Sequence, residues 1–132
     1  MIQANELRIG NWITYKYEPI QVTMIGQYGI QSKDKDSVTN AKFVTPDLKP
    51  IPLTAEILEQ CGFKNTILGG EYVYNERGIM KIYINSIGLV SYKIGDIIFT
   101  TIHYLHQLQN LYFALTGEEL QVNLNAQQPS VI

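Results

Sequence analysis

The stretch that decides the fold runs from residue 71 to residue 115 and reads EYVYNERGIMKIYINSIGLVSYKIGDIIFTTIHYLHQLQNLYFAL. It begins with short runs of apolar and aromatic residues separated by two to four residues of turn type, which predicts an antiparallel β-meander. The predicted strands are 71–74, 79–84, 89–94 and 97–102. From His103 to Leu115 apolar residues recur at spacings of three and four. This pattern predicts an amphipathic helix that ends at Gly117 and packs on the sheet.

Upstream of the meander, the sequence indicates several short strands and a short helix. Residues 7–44 contain runs of strand composition with a turn predicted at Glu18-Pro19, and their spacing favours a small SH3-like partial barrel. A helix is predicted between Thr54, which is placed to be its N-cap, and Gly62, which is placed to end it.

The predicted fold class is therefore α+β. It comprises an N-terminal strand-rich, SH3-like region, a short helix, an antiparallel β-meander and a C-terminal helix packed on the sheet. We expect a single domain over residues 1–122, in which residues 1–49 form the strand-rich region and residues 50–122 form the helix–meander–helix region. The polar tail, residues 123–132, has little to pack and is expected to be disordered.

Composition limits the classes of function. The 132 residues are 45% apolar and 17% charged, as in one globular domain. The net charge of −2 gives no general attraction to nucleic acid or to anionic membranes. Cys61 is the only cysteine, so no intramolecular disulfide forms and a cytoplasmic location is expected. No apolar run approaches the roughly 18 residues of a spanning helix. Because the first ten residues also lack the pattern of a signal peptide, we expect neither a membrane span nor secretion.

Four stretches carry a resemblance to a known group of proteins. They are Glu6–Trp12 (ELRIGNW), Pro50–Thr54 (PIPLT), Cys61–Phe63 (CGF) and Tyr104–Leu120 (YLHQLQNLYFALTGEEL). As a set they resemble a group of short conserved hypothetical proteins from Bacteroides-type bacteria and their phages or mobile elements. The resemblance covers almost the whole chain, and its last stretch is the most specific. It implies a cytoplasmic accessory protein of phage or integrated-element origin, and it supplies no activity and no functional residue.

Signals for catalysis or metal binding are weak. His103 and His106 share a helix face and two imidazoles can begin a metal site, but a closed zinc site takes four ligands and the others are missing. Cys61 lies on the predicted core side of its helix, where a thiol behaves as a small hydrophobe. The sequence contains no catalytic or phosphate-binding motif. We therefore expect a non-enzymatic protein with neither a metal nor another cofactor.

The C-terminal helix supplies the first candidate surface. From Tyr104 through Thr116 it contains no Lys, Arg, Asp or Glu, and charge is depleted at the core of protein interfaces. A solvated helix face is the simpler explanation, but such a face normally carries charge. This pattern predicts a contact with an unknown protein partner or with a second copy of the chain, through His106, Gln107, Gln109, Asn110 and Phe113.

The tyrosines supply the second candidate surface. Tyrosine rings near a lysine on an open sheet can stack bases and hold phosphates, as in proteins that bind single-stranded nucleic acid. The simpler alternative is cross-strand pairing that stabilises the sheet, and the negative net charge weakens the nucleic-acid interpretation. The candidate residues of this alternative face are Trp12, Tyr15, Tyr72, Tyr74, Lys81 and Tyr83.

Overall fold

The computed structural model describes residues 2, 4–27, 29–32, 41–42, 47–65, 71–74, 81–84, 90–94, 97–99 and 102–124. The chain divides into two compact units. Unit 1 comprises Met1–Pro52 with Tyr104–Glu118, and unit 2 comprises Leu53–His103 with Glu119–Ile132. In the described residues, no helix combines the length and the apolar character needed to cross a membrane.

In the residues that the structure describes, unit 1 contains a short 3₁₀ turn, six strands and the longer helix. Its elements are the turn Ala4–Glu6, β1 (Trp12–Tyr15), β2 (Glu18–Gln21), β3 (Met24–Ile25), β4 (Gly29–Gln31), β5 (Ala41–Lys42), β6 (Leu48–Lys49) and α2 (Leu105–Thr116). The strands form two three-stranded sheets, in the orders β2-β1-β6 and β3-β4-β5. Neighbouring strands pair antiparallel in both.

The core of unit 1 is built around the first sheet. β1 and β2 pair so that Ile13 lies opposite Ile20, and both side chains are at most 1% exposed. Both belong to one apolar cluster, which Tyr15 flanks. The buried members of the cluster are Ile2, Leu7, Ile13, Ile20, Val22, Ile30 and Leu48. The strand-rich character predicted for this region is confirmed, and its closure into an SH3-like barrel stays a prediction.

The turn between β1 and β2 differs from the prediction. Glu18 and Pro19 were expected to form it, but they lie in β2, and Lys16 and Tyr17 make the turn instead. Proline is accepted in β2 because this strand is at the edge of its sheet, where one side of the backbone needs no donor to a neighbour.

Unit 2 contains the short helix and the meander. Its elements are α1 (Ala55–Gln60), β7 (Phe63–Asn65), β8 (Glu71–Tyr74), β9 (Lys81–Ile84), β10 (Val90–Ile94) and β11 (Ile97–Phe99). Thr54 is the N-cap of α1, as predicted, because the backbone N–H of Ile57 donates to its Oγ1 over 3.2 Å. After α1, Gly62 takes a φ of +92°, a left-handed conformation that glycine adopts without a steric penalty.

The meander is antiparallel with the strand order β11-β10-β9-β8-β7, so each strand pairs with the next along the chain. Successive positions of a strand alternate between the two faces of a sheet, and directly opposite positions share a face. One face of this sheet holds the buried residues Phe63 and Ile82. None of the described strand positions on that face is charged, which identifies it as the core face. They are Phe63, Asn65, Tyr72, Tyr74, Ile82, Ile84, Val90, Tyr92, Ile94, Ile97 and Phe99.

The C-terminal helix forms at the predicted place, and the α+β class is confirmed. α2 ends at Gly117, whose φ is +75° and whose N–H donates to the carbonyl of Phe113. In the structure this helix belongs to unit 1 together with the N-terminal strands, and its packing on the meander stays a prediction. The periodicity of a helix identifies its buried side and says nothing about which sheet covers it. The predicted tail falls mainly on residues 125–132, which lie outside the described residues.

Candidate functional site

The polar side of α2 is buried in unit 1. The exposed fraction is 1% for His106 and 2% for Gln109. Polar side chains are tolerated at such burial where they find hydrogen-bond partners. Their partners belong to the segment Glu6–Trp12. We call this segment, with His106, Gln109 and Asn110, the polar clasp.

Gln109 holds the backbone at the start of β1. Its Oε1 accepts from the backbone N–H of Trp12 over 2.8 Å, and its Nε2 donates to the carbonyl of Gly10 over 2.9 Å. Gly10, two residues before β1, has a φ of +101°. Glycine adopts this conformation readily because it has no Cβ. A side-chain amide suits this position because it offers a donor and an acceptor to one stretch of backbone.

Asn110 and Arg8 form the second half of the polar clasp. Oδ1 of Asn110 accepts from Arg8 Nε over 3.0 Å and from Asn11 Nδ2 over 2.8 Å. Nδ2 of Asn110 donates to the carbonyl of Glu6 over 2.8 Å. The Arg8 guanidinium lies 4.4 Å from the centre of the Phe113 ring, a cation–π geometry. Both ends of the Asn110 amide are thereby engaged within the chain.

His106 contributes a third contact to the polar clasp, with Glu6. Its Nε2 lies 3.2 Å from Oε1 of Glu6, and its buried Nδ1 has no hydrogen-bond partner among the residues that the structure describes. Burial lowers the pKa of His106 below its ordinary value of 6.5, and the hydrogen bond with Glu6 opposes that shift. The side chain is therefore held neutral at pH 7, since burial disfavours the charged imidazolium.

The uncharged side of α2 is thus an internal contact surface. The sequence predicted that another protein or a second copy of the chain covers this face, but the segment Glu6–Trp12 of the same chain covers His106 and Gln109. The predicted protein interface is wrong for His106 and Gln109, which solvent and partners do not reach. Gln107 accepts from the backbone N–H of Tyr104 at the start of the helix, and Phe113, 38% exposed, carries Arg8 on its ring.

The candidate nucleic-acid face is also divided by the structure. Tyr72 lies opposite Ile82, which is fully buried, so the positions of Tyr72 and Tyr74 belong to the core face of the meander. Lys81 and Tyr83 flank Ile82 in β9, and their positions therefore lie on the other face. The prediction of one continuous tyrosine–lysine face is wrong because alternation assigns faces only within one strand and does not give the register between strands.

The two N-terminal members of that candidate face are separated in the same way. Trp12 and Tyr15 are three positions apart in β1, so they project from opposite faces of the strand. Tyr15 packs against the apolar cluster of unit 1, whereas Trp12 is half-buried on the other face. These two rings do not form a joint stacking surface.

A surface that sequence reasoning missed lies at the turn between β1 and β2. Lys16 and Tyr17 have φ values of 51° and 71°, and Tyr17 is 86% exposed. Lys49 Nζ lies 5.4 Å from the centre of the Tyr17 ring, and Lys16 Nζ lies 5.3 Å from that of Tyr15. We call Tyr15, Lys16, Tyr17 and Lys49 the hairpin tip. The only sequence signal is Tyr-Lys-Tyr before Glu18, which contains no glycine or asparagine and so does not indicate a turn.

The described residues offer no set of groups for catalysis by a thiol or a metal. In the described ranges of the chain, no three side chains among His, Cys, Asp and Glu are grouped as a metal site requires. Burial raises the pKa of the Cys61 thiol to about 12, so the nucleophilic thiolate is scarce at neutral pH.

In comparisons with known proteins, the chain matches no family model, no curated protein and no solved structure. The resemblance carried by Glu6–Trp12 and Tyr104–Leu120 therefore stays a prediction. In the structure these two stretches contact each other, because the hydrogen bonds of the polar clasp join Glu6–Trp12 to Gln109 and Asn110.

Proposed function

We propose that this chain is a non-enzymatic protein-interaction module that contacts its partner through the hairpin tip. The observation that carries the proposal is the 86% exposed Tyr17 in a left-handed turn conformation. The proposal keeps the function class that the sequence favoured and moves the contact from α2 to the hairpin.

The conformation of the turn supports a role other than stability. A two-residue hairpin turn with positive φ at both positions strongly prefers Asn-Gly or Asp-Gly, and the left-handed conformation costs a residue with a Cβ about 1–2 kcal/mol. Lys16 and Tyr17 both bear that strain. Residues held in unfavourable backbone conformations cluster at binding and catalytic sites, which supports a binding role for the side chains of Lys16 and Tyr17.

The chemistry of the tip suits a protein surface. Tyrosine is enriched among the residues that dominate binding energy at interfaces, since its ring is large and loses little conformational entropy on binding. Lys16 and Lys49 are exposed beside the two rings. The complementary partner is therefore a protein with a pocket for the Tyr17 ring and acidic groups at the rim of that pocket.

The resemblance adds a context to this proposal. As an accessory protein of phage or mobile-element origin in the cytoplasm, the chain would act by binding a protein of the host or of the element. A second copy of the chain is the other candidate partner, and the oligomeric state distinguishes the two.

The test is capture of partners from a lysate of the source cells, with tagged wild-type protein and matched variants. Lys16→Asn combined with Tyr17→Gly keeps the turn but removes the lysine charge and the tyrosine ring. The control is Met24→Ser, which replaces another exposed apolar side chain of unit 1, 56% exposed, by a small polar one. We expect a partner that the wild type and the Met24 variant retain and that the double variant loses.

Sedimentation of the purified chain at rising concentration covers the alternative of self-association. Self-association that the double variant abolishes would make the second copy the partner. A double variant that binds the same proteins as the wild type would refute the hairpin tip as the contact.

A further inference from the structure

The face of the meander opposite its core holds three lysines in one row across the strands. Lys64 of β7 lies opposite Val73 of β8, and Val73 lies opposite Lys81 of β9. Lys81 in turn lies opposite Lys93 of β10. Because directly opposite positions of an antiparallel sheet share a face, the three lysine positions line up perpendicular to the strands.

The charged residues on this face are mainly basic. In the described strands the face carries Lys64, Lys81 and Lys93 against a single acidic residue, Glu71, whose position lies in the next row, opposite Tyr83. The chain as a whole has a net charge of −2, so this positive cluster is opposite in sign to the net charge of the protein. Lys64 is exposed.

Lys81 and Lys93 occupy directly opposite positions of β9 and β10. Like charges directly opposite each other on neighbouring strands destabilise a sheet, whereas opposite charges at the same positions stabilise it. An acidic residue at either position would relieve the repulsion between the pair. The arrangement becomes favourable when an anion lies along the row and is shared by these positions.

We propose that this lysine row binds the phosphodiester backbone of single-stranded nucleic acid. Neighbouring strands lie about 4.8 Å apart, so the row extends roughly 14 Å from Lys64 to Lys93. That length exceeds a single phosphate group and suits a chain of them. Tyr83 occupies the same face one row away, and an aromatic residue beside a basic track is the arrangement on which unpaired bases stack. The site belongs to unit 2 and is independent of the hairpin tip.

The test is fluorescence anisotropy of a labelled single-stranded oligonucleotide of mixed sequence, titrated with the full-length protein at several salt concentrations. With three phosphate contacts, the logarithm of the binding constant is expected to fall with the logarithm of salt concentration with a slope of about −2, because each contact to a single strand contributes about −0.7. Absence of binding, or binding that salt does not weaken, would overturn the proposal.

Lys93→Glu separates binding from folding. We expect the affinity to fall at least about eightfold near 50 mM salt, the factor that a slope of −0.7 gives for one lost contact. The melting temperature is expected to rise, since an opposite-charge pair replaces a like-charge pair. A variant that binds like the wild type would refute the site. A loss of binding accompanied by a lower melting temperature would also count against it, because the repulsion argument would then be wrong.

Two controls test whether a change of net charge elsewhere in the chain weakens binding and whether another anionic polymer binds equally well. Met24→Glu combined with Gln27→Glu makes the same change of net charge at two exposed residues of unit 1, and the affinity of this variant is expected to stay within about twofold of the wild type, since neither residue belongs to the lysine row. Polyglutamate at an equal concentration of negative charge is expected to displace the oligonucleotide poorly. Equal displacement would show a general acidic-polymer site and would overturn the assignment to nucleic acid.

Discussion

The substitution Gln109→Leu tests whether the polar clasp is a structural element of unit 1. Leucine keeps the approximate volume and the helix propensity of glutamine but removes both hydrogen-bonding groups. The carbonyl of Gly10 retains a second donor, Nε2 of Gln21 at 3.1 Å. The N–H of Trp12 loses the partner that Gln109 supplies at 2.8 Å, so the main loss falls on that one donor.

The size of the effect follows from these contacts. An unpaired buried N–H costs roughly 1–3 kcal/mol, and the lost bond to Gly10 adds about 1 kcal/mol. Burial of the more apolar leucine returns about 1 kcal/mol. We therefore expect Gln109→Leu to lower the free energy of unfolding by about 2 kcal/mol, which corresponds to a fall of roughly 8 °C in melting temperature for a chain of this size.

The assay is urea and thermal denaturation followed by tryptophan fluorescence. Trp12 is the only tryptophan of the chain, so the signal reports on β1, where the change acts. Gln27→Leu is the matched control, because Gln27 is an exposed residue of the same unit and surface changes usually stay within about 0.5 kcal/mol. If both variants lose less than about 0.5 kcal/mol, the clasp does not stabilise unit 1 and the reasoning is refuted.

The remaining predictions concern the turn, a buried histidine and the thiol. Lys16→Asn with Tyr17→Gly is expected to stabilise the chain by about 1 kcal/mol in urea titrations, because relief of roughly 1–2 kcal/mol of strain at each of the two positions outweighs the loss of two exposed cation–π contacts of about 0.5–1 kcal/mol each; a less stable variant would contradict the strain argument. The folded-state pKa of His106 lies below its ordinary 6.5, so the unfolded state binds the proton more readily. Stability is therefore expected to fall as the pH drops from about 6.5 toward the lowered pKa, by at most about 1.4 kcal/mol per pH unit; a His106→Gln variant should lose this component of the pH dependence and a His103→Gln variant should keep it. Cys61, with a pKa of about 12 and 1% exposure, is expected to react with a thiol reagent only after denaturation, and rapid labelling of the native protein would contradict its burial.

Local features of the fold were predictable because they depend on neighbours in sequence. Thr54 and Gly62 mark the ends of α1 as expected, since capping is decided within one helical turn. The same holds for α2, which ends at Gly117. The meander strands formed near their predicted positions because short connections leave antiparallel neighbours as the simplest pairing. The turn at Lys16-Tyr17 was missed because strong turn residues are absent there, and a proline such as Pro19 suits an edge strand as well as a turn.

The candidate sites depended on contacts between residues distant in sequence, and there the sequence was less informative. It predicted that the uncharged face of α2 contacts another protein, whereas His106 and Gln109 are buried within the chain. The covering segment, Glu6–Trp12, lies about a hundred residues away, and no periodicity connects the two. Likewise, the alternation within β8 and within β9 was readable, but their relative register was not.

By itself, the sequence of this protein determined the α+β class, the two ends of α1, the glycine that ends α2 and the antiparallel pairing of β8 to β11, since each of these is set by interactions within a few residues or by short connections. The tertiary structure alone decided that α2 belongs with the N-terminal strands, that the positions of Tyr72 and Lys81 lie on opposite faces of the meander, and that Lys64, Lys81 and Lys93 share one row. The physical reason is that side-chain alternation fixes a face only relative to its own strand. Hydrogen-bond register between strands, and the partner that a buried helix face finds, are settled by packing of the whole chain.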